Sequence, residues 1–382
     1  MRLLATILAA LALAIVPAAH ADAVPADSDV LRQTRGLVPA MQPTETEHYV
    51  LLTDAPVESA RQVASLLEAT WRSFQRTCAA LGLQPAPLRH KLVAVLFREK
   101  GDYTRFARTQ DGMNRAWAVG YYSPGVDRLV MFDAISDDAV QKALVDLQAE
   151  SLRVQRQAAA AGGPLDAGPA GAQAASIQRQ IDAQRQRVVT EARDGFMATV
   201  SHEAAHQLLF HTGVQRRDVP YPLWLAEGLA TCFEGTDRDR REMGFQFDNP
   251  RREEAMRDAM RADRLVPLKV LLVADRIPGG EDERAVRDFY AQSCQLVTWM
   301  ARERPTELRK YLDALRDGDF AEPGARLDGV ERVFGPPDAL ERSWIRHEVR
   351  RSAPLAEAAP AQRVQAFDRG GAPPAAGSAA GR

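Results

Sequence analysis

His202-Glu203-Ala204-Ala205-His206 places two imidazoles four residues apart with a carboxylate between them. On a helix, residues four apart project from one face about one turn apart, so both rings can reach one ion. Imidazole nitrogens bind Zn²⁺ at about 2.0–2.1 Å, and a catalytic zinc takes three protein ligands and keeps one position open. Two histidines leave that set one short. Glu227, twenty-one residues after His206 within Trp224-Leu225-Ala226-Glu227-Gly228-Leu229-Ala230, is placed to be the third. Glu203 follows the first histidine directly, the position of a general base for a zinc-activated water. The flanks 196–201 and 207–210 continue the helix, with Val200, Ala204 and Leu208 on one apolar stripe and no Pro or Gly before Gly213. The expected set is one Zn²⁺ per chain on His202, His206 and Glu227, with Glu203 catalytic. A buried helix with two hydrogen-bonded histidines is the plain alternative, and it leaves Glu203 and the later Glu-Gly pair without a reason.

The zinc class can be narrowed. One large class has Gly three and His six residues after the second histidine; here those positions are Leu209 and Thr212. His211 lies about 140° off the ligand face and is read as a histidine favoured by the negative end of its helix. The pair HEAAH and WLAEGLA resembles the gluzincin peptidases, which add a downstream Glu to HEXXH. The Trp-Leu-X-Glu-Gly-X-Ala string is similar to the second motif of the M1, aminopeptidase-N-like, group. Most of all the arrangement resembles the DUF1570 family of bacterial secreted proteins, over about residues 45–300, with Gly120-Tyr121-Tyr122-Ser123-Pro124 ahead of the pentad and Tyr290-Ala291-Gln292-Ser293 behind it.

That resemblance implies a zinc metallopeptidase acting on a peptide or protein substrate. It implies Tyr290 as the oxyanion-stabilising residue, with Tyr221 second, and a substrate lying along an edge strand, for which Gly120-Tyr121-Tyr122 is the candidate. Two departures matter. The M1 strand Gly-X-Met-Glu-Asn, which holds the substrate's free amine, has only Gly112-Met113-Asn114 as its nearest counterpart, without the Glu. Cleavage of internal bonds is therefore expected over release of N-terminal residues, unless Glu281 or Glu283 supplies the anion. The Asp that some gluzincins carry four residues after the third ligand is Thr231 here, which leaves Glu234 to orient the first histidine. Two other classes stay open: an inactive gluzincin-like peptide-binding protein, against which the intact Glu203 argues, and a metal-dependent hydrolase of a non-peptide substrate, since a metal site does not name its substrate.

The elements that must hold these residues read as an α+β fold: a small mixed β-sheet lobe with helices, then the active-site helix and a mostly helical C-terminal lobe. Strands are expected at 48–53, 91–97, 118–122 and 128–132, the last two joined by the turn Ser123-Pro124-Gly125-Val126-Asp127. A long amphipathic helix is expected from Val57 to Leu81, stopped by Gly82. A short helix at 101–108 should follow the second of these strands. C-terminal helices are expected at 223–233, 251–262, 267–275, 283–303, 305–316 and 337–350. The division is 1–21 signal peptide, 22–45 flexible lead-in, 46–136 N-terminal α/β lobe, 137–190 helical hairpin insertion, 191–350 zinc-binding helical lobe and 351–382 disordered tail.

The signal peptide rests on Met1-Arg2, an apolar run from Leu3 to Ala18 and the small-residue site Ala19-His20-Ala21. Roughly 16 apolar residues containing Pro17 are short for a membrane span. The expected location is the periplasm or outside a bacterial cell, with no transmembrane segment after cleavage. Lys plus Arg number 49 against 51 Asp plus Glu, a net charge of −2 that points to no nucleic-acid partner. Cys78, Cys232 and Cys294 form no disulfide framework. They are read as small buried hydrophobes, with Cys232 and Cys294 the better pair if any two are joined. Oligomeric state has no sequence signature.

Overall fold

The computed structural model describes residues 24, 27–113, 119–160, 168–234, 249–280, 282–320 and 322–352. The signal-peptide reading, the 161–167 linker, Glu281 and the tail from 353 on lie outside the described residues.

The architecture is α+β. In chain order the first lobe holds α1 (Asp29–Leu37), β1 (Gln42–Glu45), β2 (Tyr49–Thr53), α2 (Val57–Leu81), β3 (Leu92–Phe97), α3 (Lys100–Gln110), β4 (Gly120–Ser123) and β5 (Arg128–Phe132). The sheet runs β1-β2-β3-β5-β4, with β2, β3 and β5 parallel and both edge strands antiparallel to their neighbours. Every residue of β2, β3 and β5 is buried, as expected where helices cover both faces and strands become continuous apolar runs. The period of two sorts them. Tyr49, Leu51, Leu92, Ala94, Leu96, Leu129 and Met131 face the core shared with α2 and the active-site helix. Val50, Leu52, Val93, Val95, Phe97, Val130 and Phe132 face Leu31 of α1 and Tyr103 and Phe106 of α3.

The stretch 22–45, expected as a flexible lead-in, instead contains α1 and β1. Ser28 caps α1 by accepting the Leu31 N–H, and Leu31 and Thr34 are buried. β1 reads Gln-Pro-Thr-Glu and carries no apolar alternation. Its pairing with β2 makes it a strand.

After the sheet come α4 (Asp138–Ala160) and α5 (Gly168–His211), which pack as a hairpin around Val154, Ala174 and Ile181. α5 is 44 residues long and includes the whole HEXXH pentad, so the arm and the ligand-bearing segment share one uninterrupted helix. It ends where Gly213 turns left-handed at φ 72 and the Gln215 N–H caps the Leu209 carbonyl at 2.8 Å. The C-terminal lobe holds α6 (Leu223–Thr231), α7 (Pro250–Arg261), α8 (Leu268–Val273), α9 (Glu283–Glu303), α10 (Pro305–Arg316), α11 (Arg326–Phe334) and α12 (Pro337–Ser352). α11 has no counterpart in the sequence reading. No helix among the described residues is long and apolar enough to cross a membrane.

Candidate metal centre

Four helices and one strand converge on a cleft of about 580 Å³ lined by His202, Glu203 and His206 of α5, Glu227 of α6, Arg252 of α7, Tyr290 of α9 and Gly120 to Tyr122 of β4. α5 is held against α2 through the buried Val200, Ala204 and Leu208, and Thr70 of α2 donates to Ser201 at 3.3 Å. That seats the two histidines under the sheet edge. α6 reaches the same point because Gly228 lets it press on α9: a Cβ there would lie 2.6 Å from the Ser293 carbonyl oxygen.

The three expected ligand atoms come together. His202 Nε2 lies 3.1 Å from Glu227 Oε2 and 3.2 Å from His206 Nε2, and His206 Nε2 lies 3.7 Å from Glu227 Oε2. Ligands at 2.0–2.1 Å around a tetrahedral zinc are separated by about 3.3–3.4 Å. The three observed edges bracket that value, so the donor set fits the ion in number, type and spacing. A second convergence, Glu47, His48 and Glu68, reads as a strut. His48 Nδ1 bonds Glu68 Oε2 at 2.8 Å, its backbone N–H takes the other oxygen, and its ring stacks on Trp71.

The surroundings fix the first histidine. Glu234 Oε1 lies 3.0 Å from His202 Nδ1. A carboxylate can only accept, so Nδ1 carries a proton toward Glu234, and Nε2 is the atom turned to Glu227 and His206 that would give up its proton to bind a cation. Glu234 is itself clamped by Arg252 through two contacts of 2.8 and 2.7 Å. Burial opposes charge on Glu234, but the Arg252 guanidinium and His202 outweigh it and bring the carboxyl down to about 2. Burial also opposes charge on His202, yet hydrogen bonds to Glu227 and Glu234 and the nearby Glu203 carboxylate raise it to about 10. Glu227, likewise buried, is held well below its ordinary value by the two histidines. Three carboxylates around two imidazoles make a field that favours a cation.

Glu203 Oε2 accepts the backbone N–H of Tyr122 at 2.8 Å, which ties the pentad's carboxylate to the outer edge of β4. Beyond it a polar network pins the β4–β5 turn to the end of α5. Asp127 receives His211 at 3.1 Å, Arg217 at 2.7 Å and the Tyr122 hydroxyl at 2.9 Å. His211 thus has a specific partner as well as a place at its helix terminus.

Tyr290 enters the cleft. Its ring centroid is 6.0 Å from that of His202, and Arg252 lies 5.3 Å over its ring. Burial first, then the Glu227 and Glu203 carboxylates, push its hydroxyl above its ordinary value, so it is a neutral donor near pH 7. Tyr221 is elsewhere, accepting the Arg216 N–H at 3.1 Å. Gly112 and Met113 form the turn after α3, where the Met113 N–H caps the Ala107 carbonyl, and they belong to no strand. Thr231 donates to the carbonyls of Glu227 and Gly228 within its own helix. Glu283 and Arg287 of α9 and Arg251 of α7 also line the cleft. Arg252 was not foreseen: it lies 25 residues beyond the third ligand, and only its contact with Glu234 marks it.

Residues 196–318 match the model of the DUF1570 family, described as a protein of unknown function. The DUF1570 segment begins in the last turns of α5 and runs through α10. It therefore contains His202, Glu203, His206, Glu227, Glu234, Arg252 and Tyr290, but not the β4 edge. No curated protein matches the chain.

Proposed function

We propose that this protein is an exported zinc-dependent metallopeptidase that hydrolyses internal peptide bonds. The observation carrying the reading is the near-tetrahedral convergence of His202 Nε2, His206 Nε2 and Glu227 Oε2, with Glu203 in the same cleft. Zn²⁺ on these three residues would supply a water acidified to near neutrality and polarise the scissile carbonyl. Glu203 is placed to hold a proton taken from the attacking water and to return it to the departing amine. Tyr290, protonated near pH 7, donates to the oxyanion as the carbonyl carbon becomes tetrahedral. β4 is a sheet edge, and Gly120 and Tyr122 share the outward side on which the Tyr122 N–H meets Glu203. An extended peptide pairing with that edge would bring its backbone along the ligand row. Export rests on the N-terminal apolar run and its Ala-His-Ala site.

The test is zinc content and hydrolysis by the mature protein. One zinc per chain and chelator-sensitive cleavage of an end-blocked, internally quenched peptide are expected. Glu203→Gln should keep the zinc and the fold and lose activity by about 10² or more, since an amide cannot take the proton. Peptide affinity without turnover would indicate a binding protein; no action on peptides but chelator-sensitive ester hydrolysis would indicate a non-peptide substrate.

A further inference from the structure

Cys232 caps the C-terminus of α6 and Cys294 lies on α9, the two helices that Gly228 brings into backbone contact. Both side chains are buried, at 0% and 1% exposure. One contact and two electrostatic influences place the thiols near each other. Cys232 Sγ lies 3.6 Å from Thr298 Oγ1, one turn beyond Cys294 on the same face of α9. Cys294 is close enough to the Thr231 side chain, the residue before Cys232, for that group to influence its ionisation. Each thiol likewise perturbs the ionisation of the other. Cys78 is on α2, away from this pair. The sequence alone favours three separate buried thiols; the packing of α6 on α9 removes the reason for that preference.

We infer that Cys232 and Cys294 form a disulfide when the chain folds in an oxidising compartment, cross-linking the helix that carries Glu227 to the helix that carries Tyr290. The two thiols are buried neighbours across the α6–α9 contact, so the bond would form inside an interface that is already packed. The chemistry balances with a disulfide oxidant such as oxidised glutathione. One cysteine thiolate attacks the oxidant's S–S bond, forming a mixed disulfide and releasing one glutathione thiol. The second thiolate attacks the protein sulfur of that mixed disulfide, forming the Cys232–Cys294 bond and releasing the second glutathione thiol. Two electrons and two protons pass from the protein to the oxidant. This happens before burial is complete, and burial afterwards shields the bond from reduction.

The position gives the bond a purpose. Cys232 lies between Glu227 and Glu234, and Cys294 is one turn after Tyr290. A cross-link there closes a loop of about 60 residues and restricts the one ligand helix that is not part of α5. The inference needs an oxidising environment and is independent of any hydrolytic reading.

The test refolds the zinc-loaded mature chain in glutathione buffers of defined redox ratio, then denatures it and alkylates free thiols. Under oxidising conditions one alkyl group per chain is expected, on Cys78, against three after reduction. Proteolysis should yield a peptide pair containing Cys232 and Cys294 that separates on reduction. Oxidised protein should melt roughly 10 °C above reduced protein, from the loop closed, and release zinc to a chelator more slowly. Cys294→Ala should abolish both differences and Cys78→Ala neither. Three alkylated cysteines at every ratio, or a linkage involving Cys78, would overturn the inference. The wild-type alkylation count decides it even where a variant folds poorly.

Discussion

Gly228→Ala tests whether the metal site depends on how closely α6 can approach α9. A methyl at this position would lie 2.6 Å from both the Ser293 carbonyl oxygen and Val297 Cγ2, where ordinary contacts begin at 3.4 Å. Val297 can turn aside; the carbonyl is backbone and cannot. α6 must therefore retreat by roughly 0.8 Å, several times the ±0.2 Å tolerance of a zinc ligand. Two terms oppose each other in the stability. Alanine is a better helix former than glycine by about 1 kcal/mol. Overpacking costs about 1–3 kcal/mol, and a backbone obstacle belongs at the upper end. The net is a loss of about 2 kcal/mol, or a melting temperature lower by about 4–8 °C. Since Glu227 is the preceding residue, its carboxylate moves with the helix, and zinc affinity should fall by about tenfold or more. Thermal unfolding in excess chelator isolates the packing term. A competitive zinc titration against a chromophoric chelator reads the ligand term, with Glu227→Ala setting the scale of complete loss. A chelator-treated variant that melts at or above the wild type, with unchanged zinc affinity, would refute the close-approach reasoning.

Glu234→Gln should weaken zinc by about 10–100-fold by titration, because it removes the anion that fixes the His202 proton and leaves Arg252 without its carboxylate; unchanged affinity would remove Glu234 from the site's support. Asp111 and Arg128 form a buried ion pair at 0% and 4% side-chain exposure, joined by the Tyr121 hydroxyl at 2.7 Å, and Asp111→Ala should cost about 3–5 kcal/mol in denaturant unfolding. Glu283 lines the cleft and is the described carboxylate placed to hold a substrate's free amine. Internal cleavage predicts that Glu283→Gln leaves turnover of an end-blocked peptide unchanged, whereas strong turnover of a free-amine aminoacyl substrate that Glu283→Gln abolishes would point to N-terminal release instead.

The grouping of the candidate ligands was legible because its signals are local. HEXXH puts its histidines together through helix geometry alone, and the Glu-Gly pair of WLAEGLA marks both a candidate ligand and the close approach that positions it. Gly82 and the Ser123–Asp127 turn read correctly for the same reason, as backbone signals at fixed offsets. What was not legible is long-range. β1 has a polar sequence and becomes a strand only because β2 offers it an edge. Arg252 meets Glu234 across a segment with no periodic signal. The bond from Tyr122 to Glu203 uses a backbone N–H, and no residue type announces it. Glu234 was reachable from sequence as a carboxylate seven residues after Glu227, but only the fold shows it against His202 Nδ1.

The 44-residue α5 gives the site an uneven stiffness. At 1.5 Å per residue it is a rod about 66 Å long, with the ligand histidines near one end and the arm at the other. The spacing between His202 and His206 is internal to that rod and as rigid as the helix itself. The two edges to Glu227 instead span the gap between separate helices, so they are where the coordination triangle can open. A load on the arm would carry His202, Glu203 and His206 together and leave Glu227 behind. The arm is thus a handle on two of the three candidate ligands, and α6 is the anvil against which they close.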